Sequence, residues 1–245
     1  MPQGVTWADG AVYLSAYRST DSRVDKGPCR IFKVDPVGGG TLGQFDLPAD
    51  CGHAGGLAYA GNGVLIVADT RRLYRIDIAA AFAPGAASNA ITGTVALNGA
   101  LKGSFVDFDG VSVFIGTYSK NADRSKGHFL PLSIFDSRNG GTIDETAAIR
   151  SIPLPQRAQG AAFDKSGNLW LTASGSWFGA LYRLDSKGGE VRRRFPMVIG
   201  IEDAAFDDTG GLWAVAEAGS LRWRMWSETF PVLFRVDLDK LQRDR

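Results

Sequence analysis

The sequence predicts an all-β fold, a β-propeller of five blades in which each blade is a sheet of mostly four antiparallel strands. Three observations predict it: a motif that recurs five times, a turn rich in Gly, Asp or Asn inside every copy, and no helical 3.6-residue pattern of useful length. Sheets arranged around one axis protect most of their edges, whereas a linear array leaves both ends exposed. A single domain of 245 residues is expected, with blades at about 1–50, 51–100, 101–156, 157–199 and 200–245.

Each copy begins with a short apolar strand that turns tightly into a second strand. Asp9-Gly10 and Asn62-Gly63 are typical hairpin turns. The spacing between copies matches the ~40–50 residues of a propeller blade. First strands start near residues 4, 56, 105, 160 and 203. Second strands are predicted at 12–17, 65–70, 113–118, 169–174 and 212–217.

The third strand repeats most strictly and ends on Asp in every copy, a residue that opens a turn by hydrogen bonding to its own backbone. Third strands are predicted at 30–35, 72–77, 131–136, 180–185 and 232–237. Fourth strands are predicted at 41–47, 92–97, 147–154 and 190–197. In the fifth copy only residues 238–245 follow the third strand. Either this blade has three strands, or a segment before Met1 supplies the fourth.

The strand order predicts where a functional site lies. The first strand lines the central channel and its start lies beside the end of the second, so these ends meet at one mouth. The loops between second and third strands open on the same side, and three of them are longer than a hairpin needs. Candidate ligand-binding residues at this mouth are Gln3, Tyr17, Asp69, Asp107, Tyr118, Gln159, Ser174 and Trp177. For Gln3 and Gln159, hydrogen bonding to backbone between blades is the alternative interpretation.

Histidine and carboxylate residues at the same mouth indicate its chemistry. His53 lies within a glycine-rich segment, 51–56, whose glycines would let the backbone approach a ligand closely. Glu202, Asp203 and Glu217 belong to one blade, where neighbouring carboxylates repel each other and either raise a pKa or share a cation. We expect His53, Glu202 and Glu217 to be catalytic through acid–base chemistry, or the three carboxylates to bind Ca²⁺ or another divalent cation. Pairing of Asp203 or Glu217 with a loop arginine is the structural alternative.

Composition limits the classes of partner. The net charge is +1, and this near balance gives no reason to expect nucleic acid or an anionic membrane. No apolar run approaches the ~20 residues that span a bilayer. We therefore expect a small-molecule ligand or substrate, no nucleic-acid partner, no membrane partner, and a monomer.

The two cysteines bear on the compartment. Cys29 begins the third strand of the first blade and Cys51 follows its fourth strand, so both lie at the same end of adjacent antiparallel strands. This position predicts a disulfide, which requires Cα atoms within ~4.4–6.8 Å. A disulfide indicates a secreted or periplasmic protein whose leader is absent from this chain, whereas unpaired cysteines would indicate the cytoplasm.

Several blade motifs carry a family resemblance. LIVADT at 65–70 followed by RLYRID at 72–77, and QGAAF at 159–163 with GNLWL at 167–171, resemble the SMP-30/gluconolactonase and NHL-type propellers. The resemblance implies a channel cation, usually calcium, that is held by Glu, Asn and Asp and that polarises a carbonyl and activates water. Glu202 matches the family's first-strand Glu by position. The sequence departs from the family by lacking the inner asparagines and by having five motifs instead of six.

Two functions of different classes follow from this mouth. The first is hydrolysis of an ester or lactone in a lactonase- or esterase-like enzyme outside the cytoplasm, with a lyase or transferase on the same scaffold as a further option. The second is a non-catalytic propeller that binds a small molecule, sugar or peptide through aromatic side chains at the rim. The rim aromatics are Tyr17, Tyr118, Trp177, Trp223 and Trp226.

Overall fold

A computed structural model describes residues 1–19, 27–85, 88–225 and 230–243. Its five antiparallel sheets form a ring, which confirms the five-bladed β-propeller. The innermost strand of each sheet contacts the innermost strand of the next sheet, and the fifth contacts the first. The ring is therefore closed, and the five inner strands surround one central channel.

The first two blades each contain the four strands that the repeat predicts. Blade one consists of β1 (Pro2–Ala8), β2 (Ala11–Tyr17), β3 (Cys29–Val34) and β4 (Thr41–Asp46). Blade two consists of β5 (Gly56–Tyr59), β6 (Val64–Asp69), β7 (Arg72–Asp77) and β8 (Ile91–Leu97). The short helix α1 (Ile78–Ala81) follows β7, and Asp77 caps it by accepting a hydrogen bond from the backbone N–H of Ala80.

Blades three and four are also four-stranded. Blade three consists of β9 (Phe105–Phe108), β10 (Ser112–Gly116), β11 (Lys126–Pro131) and β13 (Arg150–Pro153). Between β11 and β13 lie the helix α2 (Ile134–Ser137) and the strand β12 (Thr142–Ile143), and β12 pairs in parallel with β8 of blade two. Blade four consists of β14 (Ala158–Phe163), β15 (Leu169–Gly175), β16 (Phe178–Leu184) and β17 (Val191–Met197).

Blade five has three strands among the residues that the structure describes. They are β18 (Ile201–Phe206), β19 (Leu212–Ala216) and β20 (Val232–Val236), and the helix α3 (Leu238–Arg243) follows them. Within the described residues nothing pairs with the outer edge of β20. A groove of about 840 Å³ separates this blade from blade one, and Val232 and Leu233 line it together with Met1 and Tyr17.

The prediction for the third strand of blade three was wrong. The motif at 131–136 matches the other third strands in sequence, yet the strand occupies Lys126–Pro131 and a helical turn occupies Ile134–Ser137. Pro131 has no N–H to donate to a sheet ladder, so it ends the strand. Phe135 is fully buried in the core between blades two and three, which explains its apolar character outside a strand.

The hydrophobic core is divided among the five junctions between blades. Each junction has its own cluster of buried apolar side chains. The junction between blades five and one is the smallest, with Val5, Val12, Val34 and Val215 at its centre. Trp7 and Trp213 stack beside it with ring centroids 6.4 Å apart. The ring therefore closes on fewer buried side chains at blade five, for which the described part of the chain provides three strands.

The predicted disulfide is confirmed. Cys29 and Cys51 are joined, with Cα atoms 5.8 Å apart, and both are buried. The bond ties the start of β3 to the segment that leads into β5. Among the described residues, no helix has the length and apolar character needed to cross a membrane.

Candidate functional site at the channel mouth

A cavity of about 360 Å³ opens at the mouth where the inner strands begin. All five blades contribute side chains to it, from the starts of inner strands and the ends of second strands. Seven of the predicted site residues line it: Gln3, His53, Tyr118, Gln159, Ser174, Glu202 and Glu217. The volume lies within the range of small-molecule sites, so the cavity can enclose a compact ligand.

Two glutamates form the buried floor of this cavity. Glu202 lies on β18 and Glu217 follows β19, and their carboxyl groups are within hydrogen-bonding reach of each other. The Gln3 side-chain amide donates to Glu217 Oε2 at 2.9 Å. The Gln159 amide donates to Glu202 Oε1 at 3.2 Å and to Ser174 Oγ at 3.3 Å. Neutral donors therefore fix both carboxyl groups.

Burial gives these two glutamates unusual proton affinity. Burial raises the pKa of Glu202 well above its ordinary value, and the adjacent Glu217 raises it further. Burial also raises the pKa of Glu217, although hydrogen bonds from Gln3 and Trp223 favour its ionised form. Because the two carboxyl groups are adjacent, ionisation of either one makes ionisation of the other less favourable. The pKa of Glu202 is raised further than that of Glu217, and a hydrogen bond to Glu217 favours the protonated form of Glu202.

Asp203 faces the channel instead of the cavity. Its Oδ2 accepts hydrogen bonds from the backbone N–H groups of Val5 at 3.1 Å and Leu57 at 3.3 Å, and its Oδ1 accepts from that of Ala161 at 3.3 Å. These amides lie on the inner strands of blades one, two and four, whose channel side has no neighbouring strand. Gly160 permits the close approach, since a Cβ there would overlap the Asp203 backbone. Asp203 therefore joins blade five to three other blades.

The carboxylates do not fit a resident divalent cation. Calcium requires six to eight oxygen ligands. The Asp203 oxygens are already taken by backbone N–H groups. Glu202 and Glu217 receive amide N–H donors from Gln159 and Gln3, and such donors would face a cation with the wrong polarity. The carboxyl groups at this mouth are therefore arranged to accept hydrogen bonds from N–H donors.

A second group of ligand-type atoms is also unsuited to a metal. Atoms of Cys29, Cys51 and Asp69 lie within 4.8 Å of one another. Both sulfurs belong to the disulfide and offer no thiolate. Asp69 accepts three backbone hydrogen bonds, from Gly52, His53 and Ala54 at 2.7–3.2 Å.

Asp69 therefore holds the loop that carries His53. The His53 ring lines the cavity and packs against the Tyr17 ring edge to face, with centroids 5.3 Å apart. Ala54 adopts a positive φ of 51°, which turns the chain sharply after His53. The disulfide, the Asp69 carboxylate and Tyr17 together fix the position of His53 at the cavity wall.

Four of the predicted ligand-binding residues lie outside the cavity. Tyr17 is buried and lines the groove between blades one and five, and Asp69 holds the His53 loop. Asp107 accepts a hydrogen bond from the Phe163 backbone N–H at 2.8 Å deeper in the channel, and burial raises its pKa to about 7. Trp177 is 92% exposed on a loop of blade four. Trp226 lies outside the described residues.

Four cationic side chains at the mouth were not predicted as ligand-binding residues. They line the cavity around the glutamate pair: Lys102, Lys120, Arg157 and Arg222. The rule that located Gln3 and Ser174 also applies to them. Lys102 and Arg157 precede inner strands, and Lys120 and Arg222 follow second strands. Their positions in the sequence therefore indicate the mouth. Position alone does not predict ligand binding, because cationic residues are common in loops.

Comparison with known proteins finds similarity in fold. No family model matches the chain, and no curated protein matches it. Glutaminyl cyclase from Myxococcus xanthus superposes with a TM-score of 0.63 and 11% identity over 96% of this chain and 91% of that one. A PQQ-bound aldose sugar dehydrogenase from Streptomyces coelicolor superposes with a TM-score of 0.52 and 13% identity, over 95% of this chain and 80% of that one. A candidate gluconolactonase superposes with a TM-score of 0.44 and 18% identity, over 89% of this chain and 72% of that one.

These identities are low enough that the likeness extends to the fold alone. The neighbours are propellers with different activities, and the gluconolactonase is too distant in structure to support a specific relationship. The comparisons show the β-propeller fold, and they do not extend to the SMP-30 family. The chain is a five-bladed β-propeller with a polar cavity at one mouth.

Proposed function

We propose that the protein hydrolyses an ester or lactone in the mouth cavity, with Glu202 and Glu217 as general acid and general base. The observation that carries the proposal is the buried contact between these carboxyl groups at an open cavity, where burial raises the pKa of both. In the proposed resting state Glu202 holds a proton and Glu217 is ionised. Perturbed acid–base groups of this kind are concentrated at functional sites. A pair in which one member is protonated and the other ionised provides both roles of acid–base catalysis.

The reaction follows from the proton positions. Ionised Glu217 takes a proton from a water molecule as the water oxygen attacks the carbonyl carbon. Protonated Glu202 then gives its proton to the leaving oxygen as the carbon–oxygen bond breaks, which yields an acid and an alcohol. Glu217 now holds the water proton and Glu202 is ionised. Because the two groups are in contact, the proton returns from Glu217 to Glu202 and restores the starting state.

The surrounding residues position these groups. Gln3 donates to Glu217 and so favours the ionised base, while Gln159 donates to one oxygen of Glu202 and leaves the other to hold the proton. His53 lines the wall and contacts the substrate in this scheme. We assign it binding instead of proton transfer, because the two glutamates already account for both protons.

The setting proposed for this activity is outside the cytoplasm. Disulfides persist in secreted and periplasmic proteins and are rare in reducing compartments, and the Cys29–Cys51 bond supports that location. We propose a small molecule as the only partner and a monomer as the working unit. Nothing in the near-neutral net charge of +1 favours nucleic acid or a membrane surface.

The proposal is tested by assaying hydrolysis of a panel of esters and lactones with the wild type and three variants. Glu202→Gln and Glu217→Gln should each lower kcat by about 10²–10⁴-fold, because each removes one proton-transfer group. Both should keep the wild-type melting temperature or raise it, since they remove a buried acid. Glu190→Gln, on the outer edge of blade four, changes an exposed glutamate and should leave turnover unchanged.

Full turnover in either cavity variant would refute acid–base catalysis by the pair. The alternative function, a propeller that binds without reaction, predicts a different outcome. In that case the panel shows no turnover with any protein, while small polar molecules still bind. Binding without turnover in the wild type would therefore favour the non-catalytic function.

A further inference from the structure

The mouth cavity contains more positive than negative charge. Lys102, Lys120, Arg157 and Arg222 line it and come from blades three, four and five. Across residues 1–19, 27–85, 88–225 and 230–243, none of the four forms an ion pair with a carboxylate. Among the described residues that line the cavity, the acidic ones are Glu202 and Glu217. Four cationic side chains therefore face two carboxyl groups.

Arg157 occupies a backbone conformation that is costly for any residue except glycine. Its φ is +60°, in the left-handed region that non-glycine residues rarely adopt. Its backbone N–H donates to the Ser119 carbonyl at 2.7 Å, and its carbonyl accepts from the Ser174 N–H at 3.2 Å, so both neighbours hold this conformation. A Cβ on Gly175 would lie 2.9 Å from Arg157 Nη1, so glycine at 175 makes room for the guanidinium. The chain thus accepts an unfavourable conformation while placing a guanidinium in the cavity.

Arg222 is also held in place. Its guanidinium carbon lies 4.3 Å from the ring centroid of Trp223, which also lines the cavity. Stacking on an aromatic ring restrains an arginine while leaving its N–H donors available to a ligand. Arg222 is near enough to act electrostatically on both glutamates, so it lies beside the reacting groups.

We infer that the substrate is an anion, an ester or lactone that also carries a carboxylate or phosphate group bound by Arg157 and Arg222. Guanidinium groups bind both oxyanions through paired hydrogen bonds, and a positively charged mouth raises the local concentration of an anion. The two lysines contribute mainly to that attraction. This inference rests on the proposed hydrolysis, because it places the second functional group of the substrate at the glutamate pair.

The test compares two esters that differ in one charged group, nitrophenyl acetate and nitrophenyl hemisuccinate. The wild type should prefer the anionic ester in kcat/KM by at least about tenfold, as expected for hydrogen bonds to a charged group. The double variant Arg157→Gln/Arg222→Gln should reduce this preference towards unity, and so should ~1 M salt. Because both esters are measured with the same variant, the ratio of their kcat/KM values cancels any effect that the lost charges have on the glutamates. Lys165→Gln removes a cation from the opposite mouth, where Lys165 binds the Asp208 carbonyl, and should leave the preference unchanged.

Calorimetric titration with succinate, inorganic phosphate and neutral succinamide tests the anion site without turnover. Binding of succinate or phosphate, lost in the double variant and absent with succinamide, supports the inference and shows which oxyanion is preferred. If the anions bind but neither ester is hydrolysed, the proposed hydrolysis fails while the anion site stands. If both esters react equally and neither anion binds, the hydrolysis stands and the inference is overturned. If neither ester is hydrolysed and neither anion binds, both the proposed hydrolysis and the anion site are overturned.

Discussion

Replacing Asp203 with alanine is expected to destabilise the propeller by at least about 3 kcal/mol. Asp203 is fully buried, and its carboxyl oxygens accept hydrogen bonds from three backbone N–H groups. Those amides belong to Val5, Leu57 and Ala161, all of which are at most 1% exposed. They face the channel, where no strand can replace the lost acceptor. A buried N–H without a partner costs roughly 1–3 kcal/mol, so three at the low end give about 3 kcal/mol.

Urea unfolding followed by tryptophan fluorescence and circular dichroism measures this loss, provided that the two transitions coincide. Asp203→Asn retains one acceptor oxygen and should lose less than the alanine variant. Asp208→Ala, on an exposed turn of the same blade, is the matched control and should stay within about 0.5 kcal/mol of the wild type. A loss below about 1 kcal/mol for Asp203→Ala would refute the role of this carboxyl as a tie between blades.

Two further predictions concern pH and metal. Burial raises the pKa of Asp107 to about 7, so its contribution to stability is complete below the ordinary pKa of 3.8 and is lost as pH rises through about 7. The melting temperature should therefore fall between about pH 4 and pH 7, and Asp107→Asn should flatten that slope. A wild-type melting temperature that rises over this range would contradict the predicted sign. Calcium or a chelator should change neither melting temperature nor hydrolysis. A calcium-induced rise that Glu202→Gln abolishes would reveal a cation site that the hydrogen bonds argue against.

Local sequence patterns were sufficient for most of the fold. Alternating apolar residues and Gly-containing turns predicted each hairpin, and the position of Cys29 and Cys51 at the same end of adjacent strands predicted their bond. The repeat was misleading at 131–136, because apolar side chains that fill a junction between blades look alike in a strand and in a helical turn. Only Pro131 marked the difference, since a residue without an N–H ends a ladder.

The strand order inferred from the sequence predicted that four polar residues meet at one mouth, and the structure places them there: Gln3, Gln159, Glu202 and Glu217. It could not determine which way a side chain points on a strand end. Glu202 and Asp203 are adjacent in sequence, yet one faces the cavity and the other the channel, where its bonding partners lie on three other blades. Such contacts depend on the closed ring and leave no trace in local sequence.

Carbon-13 NMR of protein labelled at the glutamate side-chain carboxyls tests directly whether Glu202 and Glu217 share a proton. At around pH 6, where ordinary glutamates are ionised, the wild type should show one protonated carboxyl resonance that disappears in Glu202→Gln. A spectrum in which every glutamate is ionised at that pH would contradict the proton-sharing pair and, with it, the acid–base chemistry assigned to this mouth.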